Sequence, residues 1–202
     1  MKKVEQAALT RAALLKTARK LFTEYGYAGA ATEEIVQQAG VTRGALYYHF
    51  RDKAGLFHAV LEEINVEIIQ RIENALQSSQ KNPVELWEKM VHVAAGAYLD
   101  ACLDPSIRRI ALVEAATVLG QKESRDFDER YGLRFIRDFL SQLMDAGLIK
   151  PQAIEPLACL ILGAVNEAAL YTARATDIFT ARKEIGASLE GLLDGLRVKD
   201  EA

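Results

Sequence analysis

The sequence predicts an all-α fold, with an N-terminal three-helix unit built around a helix-turn-helix and a larger C-terminal helical body. Three observations predict it. Apolar residues recur at three-to-four-residue spacing along most of the 202-residue chain. The prolines at Pro83, Pro105, Pro151 and Pro156 each fall at a plausible helix boundary. No alternating apolar-polar run bounded by turn residues suggests a strand.

The first helix is predicted from Gln6 to Tyr25. Leu14, Ala18, Leu21, Phe22 and Tyr25 form one apolar stripe, and Gly26 ends the helix. Thr32 is a candidate cap for a short second helix ending at Ala39, with Glu33 and Glu34 at the positive end of its dipole. Gly40 stops that helix. Thr42 then caps a third, from Arg43 to Phe50, and Asp52 caps a fourth, from Lys53 to Gln77. Five more are expected at Pro83–Leu103, Ser106–Leu119, Glu123–Ala146, Glu155–Ala175 and Ala181–Arg197. The division this suggests is a head of residues 1–55 and a body of residues 56–202.

Bulk properties limit the function. Half of the chain is apolar and 26% is charged, as in an ordinary soluble domain. No apolar run of about 18 residues, the length of a membrane helix, stands out, and the first residues lack the apolar stretch of a secretory signal. A cytoplasmic protein is expected. Cys102 and Cys159 are too few and too far apart for a disulfide framework or a zinc site, and read as small buried residues. The net charge of −3 is unevenly spread. Residues 1–55 hold nine Lys or Arg against five Asp or Glu, whereas the rest is acidic. A basic end on an acidic body suits contact with a polyanion at that end only.

The segment from Thr32 to Phe50 carries the sharpest chemistry. Two short helices joined at Gly40-Val41-Thr42 have the length and punctuation of a helix-turn-helix. Thr42 brings a hydroxyl and free backbone N–H groups, both suited to a phosphate oxygen. Arg43 stands at the front of the third helix, where a guanidinium can pair with guanine O6 and N7. Gly44 and Ala45 are small enough to let the backbone approach base edges, and Ala45 can touch a thymine methyl. Tyr47, Tyr48 and His49 add hydrogen-bonding groups, and Lys53 can neutralise a further phosphate.

With these residues in view, the chain resembles the TetR family of bacterial repressors from about Thr10 to Leu56. The matching positions include Thr10-Arg11, Leu14-Leu15, Leu21-Phe22, Gly26-Tyr27, Ala39-Gly40-Val41, Arg43-Gly44, Leu46-Tyr47, His49-Phe50 and Asp52-Lys53. The resemblance implies DNA contacts by Thr32, Thr42, Arg43, Gly44, Ala45, Tyr47, Tyr48, His49 and Lys53. Tyr47 and His49 match the family's phosphate-contacting pair, and Arg43 and Ala45 fall where its members read bases. It also implies a C-terminal domain that dimerises and holds a small-molecule effector, with operator release as the usual response.

The body supports that layout on its own residues. Leu157, Leu160, Ile161, Ala164, Ala168 and Tyr171 on one helix, with Leu189, Leu192, Leu193 and Leu196 on the last, exceed a single narrow stripe. They are expected to form a two-fold four-helix bundle in a homodimer. Trp87, Val91, Tyr98, Phe135, Phe139 and Leu170, with the polar Glu114, Asn166 and Glu167, are candidates to line a pocket for an aromatic or largely apolar effector. For each, ordinary packing or interhelix bonding is an open alternative.

The rival readings are an effector-independent DNA-binding regulator, a helical interaction module and an enzyme. For the last, no nucleophile–base–orienter set, glycine-rich phosphate loop or metal-ligand spacing is evident. The carboxylate pairs Glu62-Glu63 and Asp126 with Asp128 read as solvated faces. Neither a cofactor nor a metal is expected.

Overall fold

The computed structural model describes residues 2–79 and 86–198. Among them the chain runs through α1 (Lys2–Gly29), α2 (Thr32–Gln38), α3 (Arg43–Phe50) and α4 (Lys53–Ser79). It continues through α5 (Glu88–Ala94 leading into Ala95–Ala101), α6 (Ile107–Glu114 into Ala115–Asp128) and α7 (Glu129–Leu133 into Arg134–Asp145). It closes with α8 (Ile154–Arg174) and α9 (Ile178–Asp194). The opening segments of α5, α6 and α7 are wound as wider π turns. The predicted start of the fifth helix at Pro83 lies outside the described residues.

Contacts divide the chain into two compact units, Met1–Asn65 with Pro105–Ser124, and Val66–Asp104 with Arg125–Ala202. The first unit thus takes in most of α6 and the first half of α4, beyond the boundary at residue 55 expected from sequence. Packing places α6 there: Ile107 and Ile110 are fully buried, and α6 packs on α1.

The core of the first unit is the apolar stripe of α1 meeting the other helices. Leu14, Ala18, Leu21 and Phe22 are fully buried together with Ile35 of α2, Leu46 of α3, and Leu56, Phe57, Val60 and Ile64 of α4. Phe22, Tyr27 and Phe57 form an aromatic cluster, with Phe57 edge-on to both at 5.3 Å. Burying such side chains is worth about 1.5–3 kcal/mol each. Tyr25, predicted for the buried stripe, is instead exposed. The cause lies next to it: Gly26 takes φ 74°, ψ 173°, which breaks the helical path and turns Tyr27 inward in its place.

The caps meet expectation at two of three sites. The Thr42 hydroxyl accepts from Ala45 N at 3.2 Å, and Asp52 Oδ1 from Gly55 N at 2.7 Å. At α2 the N-cap is Ala31, with no side-chain cap, and Thr32 is the first helical residue. Where α3 meets α4 the approach is close. A Cβ on Gly55 would fall on the Phe50 carbonyl oxygen, so only glycine allows α4 to start there.

In the second unit α8 packs along α9. Ala158, Val165, Ala168, Ala169 and Thr172 of α8 and Ala181, Leu189 and Leu193 of α9 are buried. Small residues at these points let the two helices approach closely. Arg182 pins α9 to α5, donating to Asp100 Oδ1 at 2.8 Å and to the Gly96 carbonyl at 3.0 Å. α9 ends earlier than predicted. Arg197 instead makes a single antiparallel bridge with Ile149, and Val198 N donates to the Leu148 carbonyl at 2.8 Å. By length and composition α8 could cross a membrane, although no unbroken apolar run marks it in the sequence, and about a third of its most apolar stretch is buried inside the protein.

Candidate DNA-binding site and the helical body

α3 is a short amphipathic helix whose two faces have different work. Leu46 and Phe50 point into the core and anchor it. The opposite face presents Thr42, Arg43, Gly44, Tyr47 and Tyr48, all exposed, with Ala45 and His49 half-buried at its edges. Tyr48 is 83% exposed and Tyr47 42%, so neither ring is a core residue. Both phenol rings are thus presented to solvent and not to the core.

The polar groups of this face are arranged among themselves. Arg43 Nη1 pairs with Glu33 Oε1 of α2 at 3.0 Å, and Arg43 Nη2 donates to the Tyr47 hydroxyl at 3.1 Å. The bond to Tyr47, then the charge of Glu33, push the guanidinium pKa above its ordinary value. The arginine is therefore a permanent cation held in a forked pose at the helix front. The Tyr48 ring stands edge-on to His49 at 5.1 Å. With Thr42 capping α3, a row of hydroxyl, guanidinium, phenol and imidazole groups surrounds the bare backbone at Gly44 and Ala45. Such a row can hold a phosphate backbone and read base edges in a major groove.

Two of the predicted contact residues stand apart. Thr32 is half-buried in the first turn of α2. Lys53 is also half-buried, and its ammonium lies 4.6 Å from the centre of the Tyr27 ring. Burial lowers its pKa, and the negative charge of Glu114 partly opposes that.

The residues expected to line an effector pocket are only partly brought together. In the second unit the Tyr98 hydroxyl donates to Asn166 Oδ1 at 2.6 Å, linking α5 to α8. Burial, with the Cys102 thiol alongside, pushes the Tyr98 hydroxyl well above its ordinary pKa. Phe135 and Phe139 pair at 4.4 Å on α7 and are half-buried, as is Leu170. Trp87 and Val91 are buried, and the Trp87 indole N–H is spent on Asp194 Oδ1 at 2.8 Å. Glu167 lies on the outer face of α8, paired with Arg174 at 3.3 Å, and is not grouped with its neighbour Asn166. Glu114 belongs to the first unit, where it accepts a backbone hydrogen bond from Tyr27. Asp128, read as solvated, is partly buried, and that burial raises its pKa against the lowering influence of Arg125.

The predicted dimer residues fall into three groups. Leu157, Ala168, Leu189 and Leu193 are buried within the protomer, where α8 and α9 pack on each other and on α5, and α8 also on α7. Leu160 at 72%, Leu192 at 61% and Tyr171 remain exposed, while Ile161, Ala164 and Leu196 are half-buried. Cys159, expected to be buried, is exposed beside Leu160, whereas Cys102 is buried as expected.

An exposed, cation-bearing recognition helix on a helix-turn-helix, joined to a helical body, defines a DNA-binding transcriptional regulator. Residues 14–60 match the family described as bacterial regulatory proteins of the tetR family, and residues 87–196 match its "Tetracyclin repressor-like, C-terminal domain". A TetR-family transcriptional regulator from Pectobacterium atrosepticum is 37% identical, with a TM-score of 0.81 over 96% of this chain and 97% of that one. The chain belongs to the TetR family. It is also similar to the transcriptional repressor BepR of Brucella suis, 34% identical over 89 residues, a stretch that spans 44% of this chain and 43% of BepR. The structure of AibR, in complex with isovaleryl coenzyme A and operator DNA, shares the fold at 21% identity and a TM-score of 0.64, covering 91% of this chain and 97% of that one.

Proposed function

We propose that the protein is a homodimeric repressor that leaves its operator when a small, largely apolar effector binds its helical body. The observation that carries the DNA half is the outward face of α3, where Arg43, Tyr47 and Tyr48 stand exposed around bare backbone at Gly44. A helix-turn-helix of this kind reads two half-sites about one helical turn apart, which calls for two copies. The exposed leucines Leu160 and Leu192, with Tyr171, give the second copy an apolar face on α8 and α9 to cover.

For the effector, Asn166 has only its carbonyl engaged by Tyr98, and the half-buried Phe135–Phe139 pair offers aromatic surface. Apolar walls with a few hydrogen-bonding groups suit a molecule with an apolar body and one polar end. AibR, which shares the fold, is found with operator DNA and isovaleryl coenzyme A, whose acyl end alone is apolar on a charged nucleotide carrier. The effector acts through its differential affinity for two states of the dimer, the operator-bound and the released one. The protein works in the cytoplasm, where the operator is.

Selecting DNA from a random duplex pool with the purified protein tests this reading. A palindromic site whose half-sites lie one helical turn or a multiple apart is expected, and a panel of apolar acids, their thioesters and aromatic compounds should include one that releases it. A protein that enriches no sequence would refute the proposal.

A further inference from the structure

Glu114 is a carboxylate of α6 turned onto the backbone of α1. At Gly26 the helical path breaks at φ 74°, and the N–H of Tyr27 leaves the helix ladder. Glu114 Oε2 accepts that N–H at 2.7 Å. Its other oxygen faces Arg109 Nε at 3.4 Å, and the side chain is only 19% exposed. The site admits no side chain at residue 26: a Cβ there would fall on Glu114 Oε1 and come within 2.8 Å of Arg109 Nη2. A positive-φ glycine, a released backbone donor and a largely buried carboxylate thus form one fitted contact. α6 is tied to α1 a second time at its start, where Arg19 donates to the Ser106 hydroxyl from Nε at 2.9 Å and Nη2 at 2.7 Å.

This corner leads to Lys53, which follows the recognition helix in the chain. Tyr27, whose N–H Glu114 holds, packs its ring on Phe22 and Phe57 and carries the Lys53 ammonium on its face. Lys53 opens α4 immediately after α3 and feels the Glu114 charge. We propose that Glu114 is a positioning residue for operator binding: held between the Tyr27 N–H and Arg109, its carboxylate fixes the Gly26–Tyr27 corner and, through it, the pose of Lys53 beside the recognition helix. In this role Glu114 acts with no contact of its own to DNA.

The test uses the full chain and the duplex that the wild-type protein selects, so a variant's loss is separable from an absence of DNA binding. E114A is expected to weaken binding about tenfold or more, the scale of one charge-assisted hydrogen bond, when affinity is corrected for folded fraction. In E114Q the amide oxygen still accepts from Tyr27, and most of the affinity is retained. Amide hydrogen exchange at Tyr27 gives a readout that bears on the corner itself: fast in E114A, protected in E114Q. A folded E114A with wild-type affinity, or with Tyr27 still protected, overturns the proposal. If E114A does not fold, R109A decides. Freeing the carboxylate from its second partner should speed Tyr27 exchange and lower affinity severalfold, and wild-type values of both would overturn it.

Discussion

Arg43 donates to the Tyr47 hydroxyl at 3.1 Å, one turn along the outer face of α3, while its other amino group pairs with Glu33. In the free protein the leading cation of the recognition helix is therefore already engaged, by one neutral and one anionic partner. To meet a base or a phosphate it must give up at least the second. Glu33 competes with DNA for the same guanidinium and adds a negative charge facing the duplex. Replacing it as E33Q is expected to tighten operator binding severalfold at low salt, with less gain as salt rises and screens the charge. A salt-titrated anisotropy measurement checks this.

Removing the cation should do more than weaken binding. R43A is expected to lower operator affinity roughly tenfold to a hundredfold and to relax base preference at one position of each half-site, as loss of a bidentate base contact does. Lysine cannot reproduce the fork, so R43K should recover the general affinity but not the base preference. Binding-site selection repeated with each variant separates the two effects.

Stability and DNA binding should part along the two faces of α3. Tyr48 is largely exposed and anchors nothing, so Y48A should leave the melting temperature close to wild type while reducing DNA affinity. Leu46 is fully buried. L46A should cost about 2–5 kcal/mol of stability through the cavity it leaves. Denaturant unfolding alongside DNA titration distinguishes them. In the first turn of α4, G55A should also destabilise, because the new methyl falls on the Phe50 carbonyl.

The outer faces of α8 and α9 predict the assembly. L160K and L192K each put a charge where apolar surface stands exposed, so neither disturbs the protomer's own core. Both should shift the protein towards monomer in sedimentation velocity, with the protomer still helical, and both should abolish tight operator binding. L189K strikes the α8–α9 packing within one protomer and should unfold it instead.

The cysteines predict a reactivity contrast. Cys159 is exposed and Cys102 buried, and burial pushes the Cys102 pKa up to about 12 from 9.0. A thiol reagent at pH 8 should therefore modify one cysteine of the native protein quickly and the second only on unfolding. The folded thiol is the weaker acid, so its contribution to stability is complete below pH 9 and is lost as pH rises towards 12. A C102S variant should lose less stability than wild type over that alkaline range.

The head could be read closely from sequence because its determinants are local. Thr42, Gly40 and Asp52 act on backbone within a few residues of themselves, and the outward set from Arg43 to Tyr48 follows from helical spacing once Leu46 and Phe50 are known to point inward. Glu114 could not be read this way. Its partner is the Tyr27 N–H, 87 residues earlier and released by the φ of Gly26, and nothing in a linear pattern marks a bare N–H as an acceptor's target. An acidic residue in an apolar run suggested a pocket because burial was visible and the partner was not. The bundle residues divide between buried and exposed for a related reason. Periodicity showed that Leu157 and Leu189 must be covered, yet could not say whether the cover was α8 and α9 of one chain or of two. Tyr25 and Tyr27 exchanged places because the helix breaks between them.

The bare centre of α3 bears on how this regulator changes its target. A Cβ added at Gly44 meets nothing closer than the Thr42 hydroxyl oxygen at 3.9 Å. New side chains at residue 44 can thus be tried against the duplex with little penalty to the fold, while Leu46 and Phe50 keep the helix seated. Divergence of operator preference among descendants of this chain has an open route there, since new base contacts can accumulate before any existing one is surrendered.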